Sequence, residues 1–211
     1  ILGVLHRLRV ICSHPLVAKD PALAGATISE HRKHSPKLDW TLAALRRIQS
    51  LGEKAIVFTE FHDLQRLIQR AVLEELGIHA RIVNGDTKAV GGDESRQELI
   101  DEFQRMPGFG VIVLSTTAVG FGVNVQAANH VIHFTRPWNP AKEDQATDRA
   151  YRIGQSKPVY VYTPTVVGRG FESFEQRVAT RLSGKRALSR EMLAPEQALS
   201  LEDFDGLGEL P

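Results

Sequence analysis

Gln145, Arg149 and Arg152 stand at i, i+4 and i+7 of a segment opened by Asn139-Pro140. On a helix running from about Pro140 to Tyr151, that spacing puts all three within a narrow arc of one face. A pair of guanidinium groups presented together can neutralise charge on a phosphoryl group in transfer. A solvated helix surface gives the same bare pattern, so these residues carry meaning only in company. That company is a set of polar, glycine-bearing runs, each following a short apolar segment: Thr59-Glu60-Phe61, Asn84-Gly85-Asp86-Thr87, the stretch from Ser115 and Thr116 through Gly120 and Gly122 to Asn124, and Thr135-Arg136-Pro137-Trp138-Asn139-Pro140. Hydroxyls, small residues and free backbone N–H groups are what a phosphate backbone needs, because glycine lets the main chain approach and helix N-termini favour anions.

Other chemistries are missing. There is no Gly-x4-Gly-Lys-Ser/Thr loop, since Gly184-Lys185 precedes Arg186 and Gly52-Glu53-Lys54 precedes a strand. Asp101-Glu102 lies inside an amphipathic stretch with Leu99, Ile100 and Phe103, so it is not a magnesium-binding pair at a strand end. The expectation is that this chain cannot hold ATP and Mg²⁺ by itself. Cys12-x-His14 and His31-x2-His34 do not complete a zinc frame, and His130 and His133 point to opposite faces of a strand. Ser115 has neither nucleophile elbow nor identifiable triad partners.

The elements that must position these runs alternate along the chain. Strands are predicted at 54–58, 80–83, 111–114, 130–134 and 158–162, and helices at 1–13, from Ser35-Pro36 to Gly52, through Leu64–Leu76, around Ser95–Arg105 and from Pro140 to Tyr151. Phe171, Phe174, Val178 and Leu182 stripe a final helix, residues 15–34 read as a connector, and the tail after Lys185 shows no period. This cadence predicts an α/β fold: an open, mostly parallel sheet with helices on both faces. Ligands then bind beyond the carboxyl ends of the strands, where the polar runs lie. The 211 residues, 42% hydrophobic, suffice for one well-buried core. A net charge of +1 gives no bulk pull toward nucleic acid or membrane, so any basic surface is local. One cysteine rules out an intramolecular disulfide and fits a reducing compartment, and apolar runs fall far short of the roughly 18 residues of a membrane span. The chain starts at Ile1 and reads as a fragment of something longer.

In order along the chain, Phe58-Thr59-Glu60-Phe61, Asn84-Gly85-Asp86-Thr87, Ser115-Thr116 with Gly120, Gly122, Val123 and Asn124, then Trp138-Asn139-Pro140 and Gln145-Ala146-x-Asp148-Arg149-Ala150-Tyr151-Arg152-Ile153-Gly154-Gln155 resemble the second RecA-like lobe of SWI/SNF-type ATPases of helicase superfamily two, in the wording of bacterial or archaeal members. The resemblance implies a RecA-like lobe over 35–184, entered through a helix and connector at 1–34 and followed by a tail at 185–211. It implies a DNA-dependent ATPase that translocates on double-stranded DNA, with ATP and Mg²⁺ bound mainly by an N-terminal RecA-like lobe of the same chain. Arg149 and Arg152 match the arginine fingers, with Gln145 near the same interface, and Gly120, Gly122 and Asn124 match the motif coupling nucleotide to DNA. Thr59, Gly85, Thr87 and Thr116 match positions near the tracking-strand phosphates, and Trp138 an aromatic set against DNA. Arg136 replaces a residue often acidic in the family and is expected to add a phosphate contact; Thr117, Val119 and Tyr151 also depart from the family pattern. A cytoplasmic, nucleoid-associated protein with no membrane partner follows, inactive as this fragment alone. The competing reading is a helicase-like lobe retained as a non-hydrolysing DNA- or protein-binding module.

Overall fold

The computed structural model describes residues 2–15, 23, 25–88, 95–116, 124–152 and 154–192. Its centre is β1 (Lys54–Phe58), buried at every position. Flanking it are β2 (Arg81–Val83), β3 (Gly110–Leu114), β4 (His130–His133) and β5 (Tyr160–Tyr162), in the spatial order β2-β3-β1-β4-β5 with every pairing parallel. Strands covered on both faces read as continuous apolar runs, and these do. Ala55, Val57, Val111, Val113 and Ile132 pack under α3 (Pro36–Ser50) and α4 (His62–Leu76), against Leu38, Leu42, Leu45, Leu64 and Ile68. Ile56, Phe58, Ile112, Leu114 and Val131 face the other way, onto Ile100 and Phe103 of α5 (Arg96–Arg105) and Ala146 of α6 (Pro140–Thr147). Full burial of each such aliphatic or Phe side chain is worth about 1.5–3 kcal/mol, which fixes the register and hence where each loop emerges.

A third cluster joins the helix before the sheet to the helix after it. Leu5 of α1 (Leu2–Ser13) packs with Phe174, Val178 and Leu182 of α7 (Phe174–Met192). Lys37, buried at the start of α3, donates to the carbonyl of Phe134 at 3.1 Å and to the carboxylate of Glu175. Burial lowers the Lys37 pKa and the Glu175 charge works against that shift.

The structure departs from the sequence-based elements in three places. The connector contains α2 (Ile28–His34), opened by a capping box in which the Thr27 hydroxyl accepts from Glu30 N at 3.3 Å and Glu30 accepts from Thr27 N at 2.7 Å. Second, α6 stops at Thr147 instead of continuing to Tyr151. The next amides shift to carbonyls three residues back, Arg149 N to Ala146 O at 3.3 Å and Ala150 N to Thr147 O at 3.0 Å, and the chain turns. Third, α7 starts at Phe174, so Phe171 is not on its stripe, and it continues past Lys185 to Met192. Among the described residues no helix is long and apolar enough to cross a membrane.

Candidate nucleotide and DNA interface

The loops after the neighbouring strands β1 and β4 lead to helices on opposite faces of the sheet, β1 to α4 and β4 to α6, which makes their carboxyl ends the topological switch point. Backbone pairing carries past the strand ends there: Thr59 N donates to Leu114 O at 3.0 Å, Ser115 N to Val83 O at 3.1 Å and Thr135 N to Phe58 O at 3.2 Å. Side chains then lock the loops together. The Thr135 hydroxyl donates to that of Thr59 at 3.3 Å and accepts from Glu60 N at 3.2 Å. The Glu60 carboxylate accepts from Thr116 N at 2.7 Å and also from the Thr116 hydroxyl. Gln65, fully buried on α4, donates to Thr59 O at 2.8 Å and accepts from Asn84 Nδ2 at 2.7 Å. Asn84 N donates to the Thr87 hydroxyl at 3.1 Å. Arg96 donates to Thr87 O at 2.9 Å and to Gly85 O at 3.3 Å, drawing the loop after β2 onto α5.

Gly85 is therefore exposed at the edge, with Thr87 and Thr116 half-buried beside it. Thr59 is fully buried with its hydroxyl turned to Thr135, so it supports the loops and does not reach out of them. Gln65 and Arg96 escaped the sequence reading, and Glu60 entered it only as a member of the run after the first strand, without a role. Only Gln65 left a signal, as a polar residue three positions before Ile68, in the buried phase of an amphipathic helix.

The arginines form a second cluster at the far end of α6. Gln145 is exposed on the helix, Arg149 is 8% exposed in the turn after it and Arg152 is exposed further along that turn. The three do not share a helical face, because the helix ends between the first and the second. Gln155 holds the turn instead: its amide nitrogen donates to the carbonyls of Gln126 at 2.9 Å, Ala128 at 3.0 Å and Ala150 at 3.4 Å, while its oxygen accepts from Lys157 N at 3.0 Å. Val125 N donates to Arg149 O at 3.0 Å, which seats Arg149 next to Asn124. Burial and then the neighbouring Arg152 charge lower the Arg149 pKa, with Asp148 opposing them. An anion placed there relieves both effects. Gly120 and Gly122 lie outside the described residues.

Arg136 and Trp138 belong to a third, structural corner. The Arg136 guanidinium is bidentate on Glu143 at 2.7 and 2.8 Å, and Arg186 of α7 reaches the same carboxylate at 2.9 Å. Burial by itself raises the Glu143 pKa, but Arg136 holds it below the usual carboxylate range. The phosphate contact expected of Arg136 is thus replaced by an internal one: Glu143, one turn into α6, sits where the fork can close on both oxygens. Trp138 is partly buried against the α1–α7 cluster.

A parallel sheet with its polar loops tied at one edge and a stapled arginine turn beneath them is the arrangement of a RecA-like helicase lobe. The chain belongs to the helicase conserved C-terminal domain family, whose model matches residues 37–154, and within it to the second lobes of SWI2/SNF2-type ATPases. It is 53% identical over 98% of its length to Zorya protein ZorD of Escherichia coli O139:H28, covering 19% of that protein. The Sulfolobus solfataricus SWI2/SNF2 ATPase core domain is 32% identical, with a TM-score of 0.71 over all of this chain and 40% of that one. The same core in complex with dsDNA is 33% identical, with a TM-score of 0.67 over 92% of this chain and 37% of that one. The chain spans about a fifth of the length of the curated relatives it matches.

Proposed function

We propose that this chain is the second motor lobe of a DNA-dependent ATPase that moves along double-stranded DNA. The observation that carries this reading is the Arg149 turn: a nearly buried guanidinium held beside Arg152 by the Gln155 staple, ready to take up charge that develops on a transferring phosphoryl group. Arg149 and Arg152 act as the fingers, Gln145 lines the approach, and Asn124, with Gly120 and Gly122 before it, links the turn to the loop after β3. Gly85 brings its exposed backbone to the DNA phosphates, with Thr87 and Thr116 beside it shaping the loops through their bonds to Asn84 and Glu60, while Thr59 positions them from below. Trp138 supports this edge from its packed side. The dsDNA complex of the Sulfolobus core supports the choice of ligand.

ATP is the substrate, and this lobe supplies only the cationic half of its site. In this reading ATP and Mg²⁺ are bound mainly by the first RecA-like lobe of the parent protein, and the isolated chain is expected to hydrolyse no ATP.

The test is ATP hydrolysis by the full-length protein with and without duplex DNA, for wild type and for Arg149→Ala/Arg152→Ala. Duplex stimulation of the wild type, with the variant binding nucleotide yet turning over about 10³-fold or more slowly, is the expected result. A wild type that binds duplex but hydrolyses nothing makes this lobe a retained binding module and removes the motor reading.

A further inference from the structure

The loop after β5, at the same carboxyl edge of the sheet, is tied down by side chains of its own. Glu175 and Gln176, in the first turn of α7, close its neck. Glu175 accepts from Val166 N at 2.8 Å, and Gln176 Oε1 accepts from Ser173 N at 2.8 Å and from Gly168 N at 3.4 Å. The Ser173 hydroxyl donates to Val166 O and accepts from Gln176 N at 3.1 Å. Two glycines shape the tip. A Cβ on Gly168 meets the Phe171 carbonyl oxygen at 2.5 Å and its ring at 2.8 Å, and Gly170 has φ +80°, in the left-handed region.

This architecture holds three side chains outward. Val167 is 67% exposed, Phe171 is 69% exposed, and Arg169 stands exposed between them with no ion pair among the described residues. The nearest acid in the loop, Glu172, is paired with Arg177 at 3.2 Å, so the tip presents a net cation. Core packing gives no reason to fix a Phe and a Val in water on a glycine-braced loop. Moreover, Pro164 and Thr165 line one small cavity with Thr135, Arg136 and Trp138, which sets the root of this loop beside the loop after β4.

We propose that residues 166–173 form a further contact element for duplex DNA, with Arg169 on a backbone phosphate and Phe171 and Val167 against the sugar edge beside it. The proposal rests on the duplex-DNA reading of the same sheet edge. A cation flanked by apolar side chains on a stiff loop matches this ligand, because the phosphate satisfies the guanidinium while the deoxyribose covers the apolar surface.

The experiment measures duplex binding by the full-length protein across a salt series, together with the DNA concentration giving half-maximal ATPase stimulation. Arg169→Ala is expected to lower the slope of log affinity against log salt by about 0.9 and to weaken binding several-fold. Phe171→Ala is expected to raise the half-maximal DNA concentration about ten-fold, the scale of one aromatic contact to nucleic acid. Gly168→Ala keeps both side chains but displaces Phe171, and is expected to reproduce the Phe171→Ala loss. Unaltered salt slope and half-maximal DNA concentration in the two exposed variants, beside a DNA-stimulated wild type, overturn the loop proposal alone, whatever the variants do to protein partners. A wild type that neither binds nor responds to duplex removes both readings.

Discussion

Replacing Gln155 by alanine removes one side-chain amide that holds three carbonyls and one N–H at the same time. The bonds to Gln126 O at 2.9 Å and Ala128 O at 3.0 Å are well formed, and those to Ala150 O at 3.4 Å and from Lys157 N at 3.0 Å are weaker or exposed. At about 1 kcal/mol net for each well-formed bond, the loss comes to about 2 kcal/mol, to which the carbonyl of the fully buried Ala128, left without its donor, adds. For a domain of this size, 1 kcal/mol moves Tm by about 2–4 °C, so Gln155→Ala is expected to melt about 4–8 °C below wild type. Gln155→Glu keeps the shape but turns a carboxylate oxygen toward the carbonyls, so it is expected to melt lower than the alanine variant. Since the staple also sets the turn that carries Arg149 and Arg152, both variants are expected to lower kcat of the full-length ATPase more than they raise KM for ATP. Thermal unfolding of the 211-residue chain and steady-state kinetics of the full-length protein read the two effects. A Tm shift below 2 °C, or Gln155→Glu as stable as wild type, would refute the staple.

Two further predictions concern charge. His14 and His133 are fully buried, and each pKa is lowered from 6.5 to about 4, first by burial; for His14 the neighbouring His31 adds to the shift, and for His133 Glu143 opposes it. The Glu53 carboxyl is held near 2 by hydrogen bonds from Asn129, His130 and Lys157. All three groups bind protons more readily unfolded than folded, so each contributes stability that is present at neutral pH and lost on acidification. The histidine share goes between pH 6.5 and about 4, and the Glu53 share from 4.5 toward 2. The magnitude is up to about 3 kcal/mol for each buried histidine and smaller for Glu53, whose partner Lys157 is exposed and screened by solvent. Tm is expected to fall steadily from pH 7 to pH 4, less steeply in His133→Gln, and a flat profile over that range contradicts the burial of both rings. Glu143→Ala leaves Arg136 and Arg186 facing each other without their shared carboxylate and is expected to cost about 3 kcal/mol. The denaturant midpoint measures it, and Glu143→Ala/Arg136→Ala is expected to cost less than the sum of the single changes.

Local chemistry wrote the element order into the sequence. Ser35-Pro36 starts α3 where the cap and the fixed proline φ require, the apolar run at 54–58 becomes the central strand because both of its faces are covered, and the parallel cadence forces the polar runs onto one edge. The family was legible for the same reason, since the polar runs that follow the strands come in a fixed order of residue types. Tertiary contacts decided what each polar residue does within that frame. Arg136 and Arg149 both read from the sequence as arginines for phosphate, yet Glu143 closes on the first, while the backbone of Val125 and the amide of Gln155 place the second beside Arg152. The same holds for Thr59, which a 3.3 Å bond to Thr135 turns inward, and for Phe171, whose helical spacing to Phe174 and Val178 lost to the capping of α7 by Ser173 and Gln176. Spacing along the chain fixes the period of an element. Where that element stops, and which polar groups meet across 70 or more residues of sequence, depends on partners that only the folded sheet brings within hydrogen-bond reach.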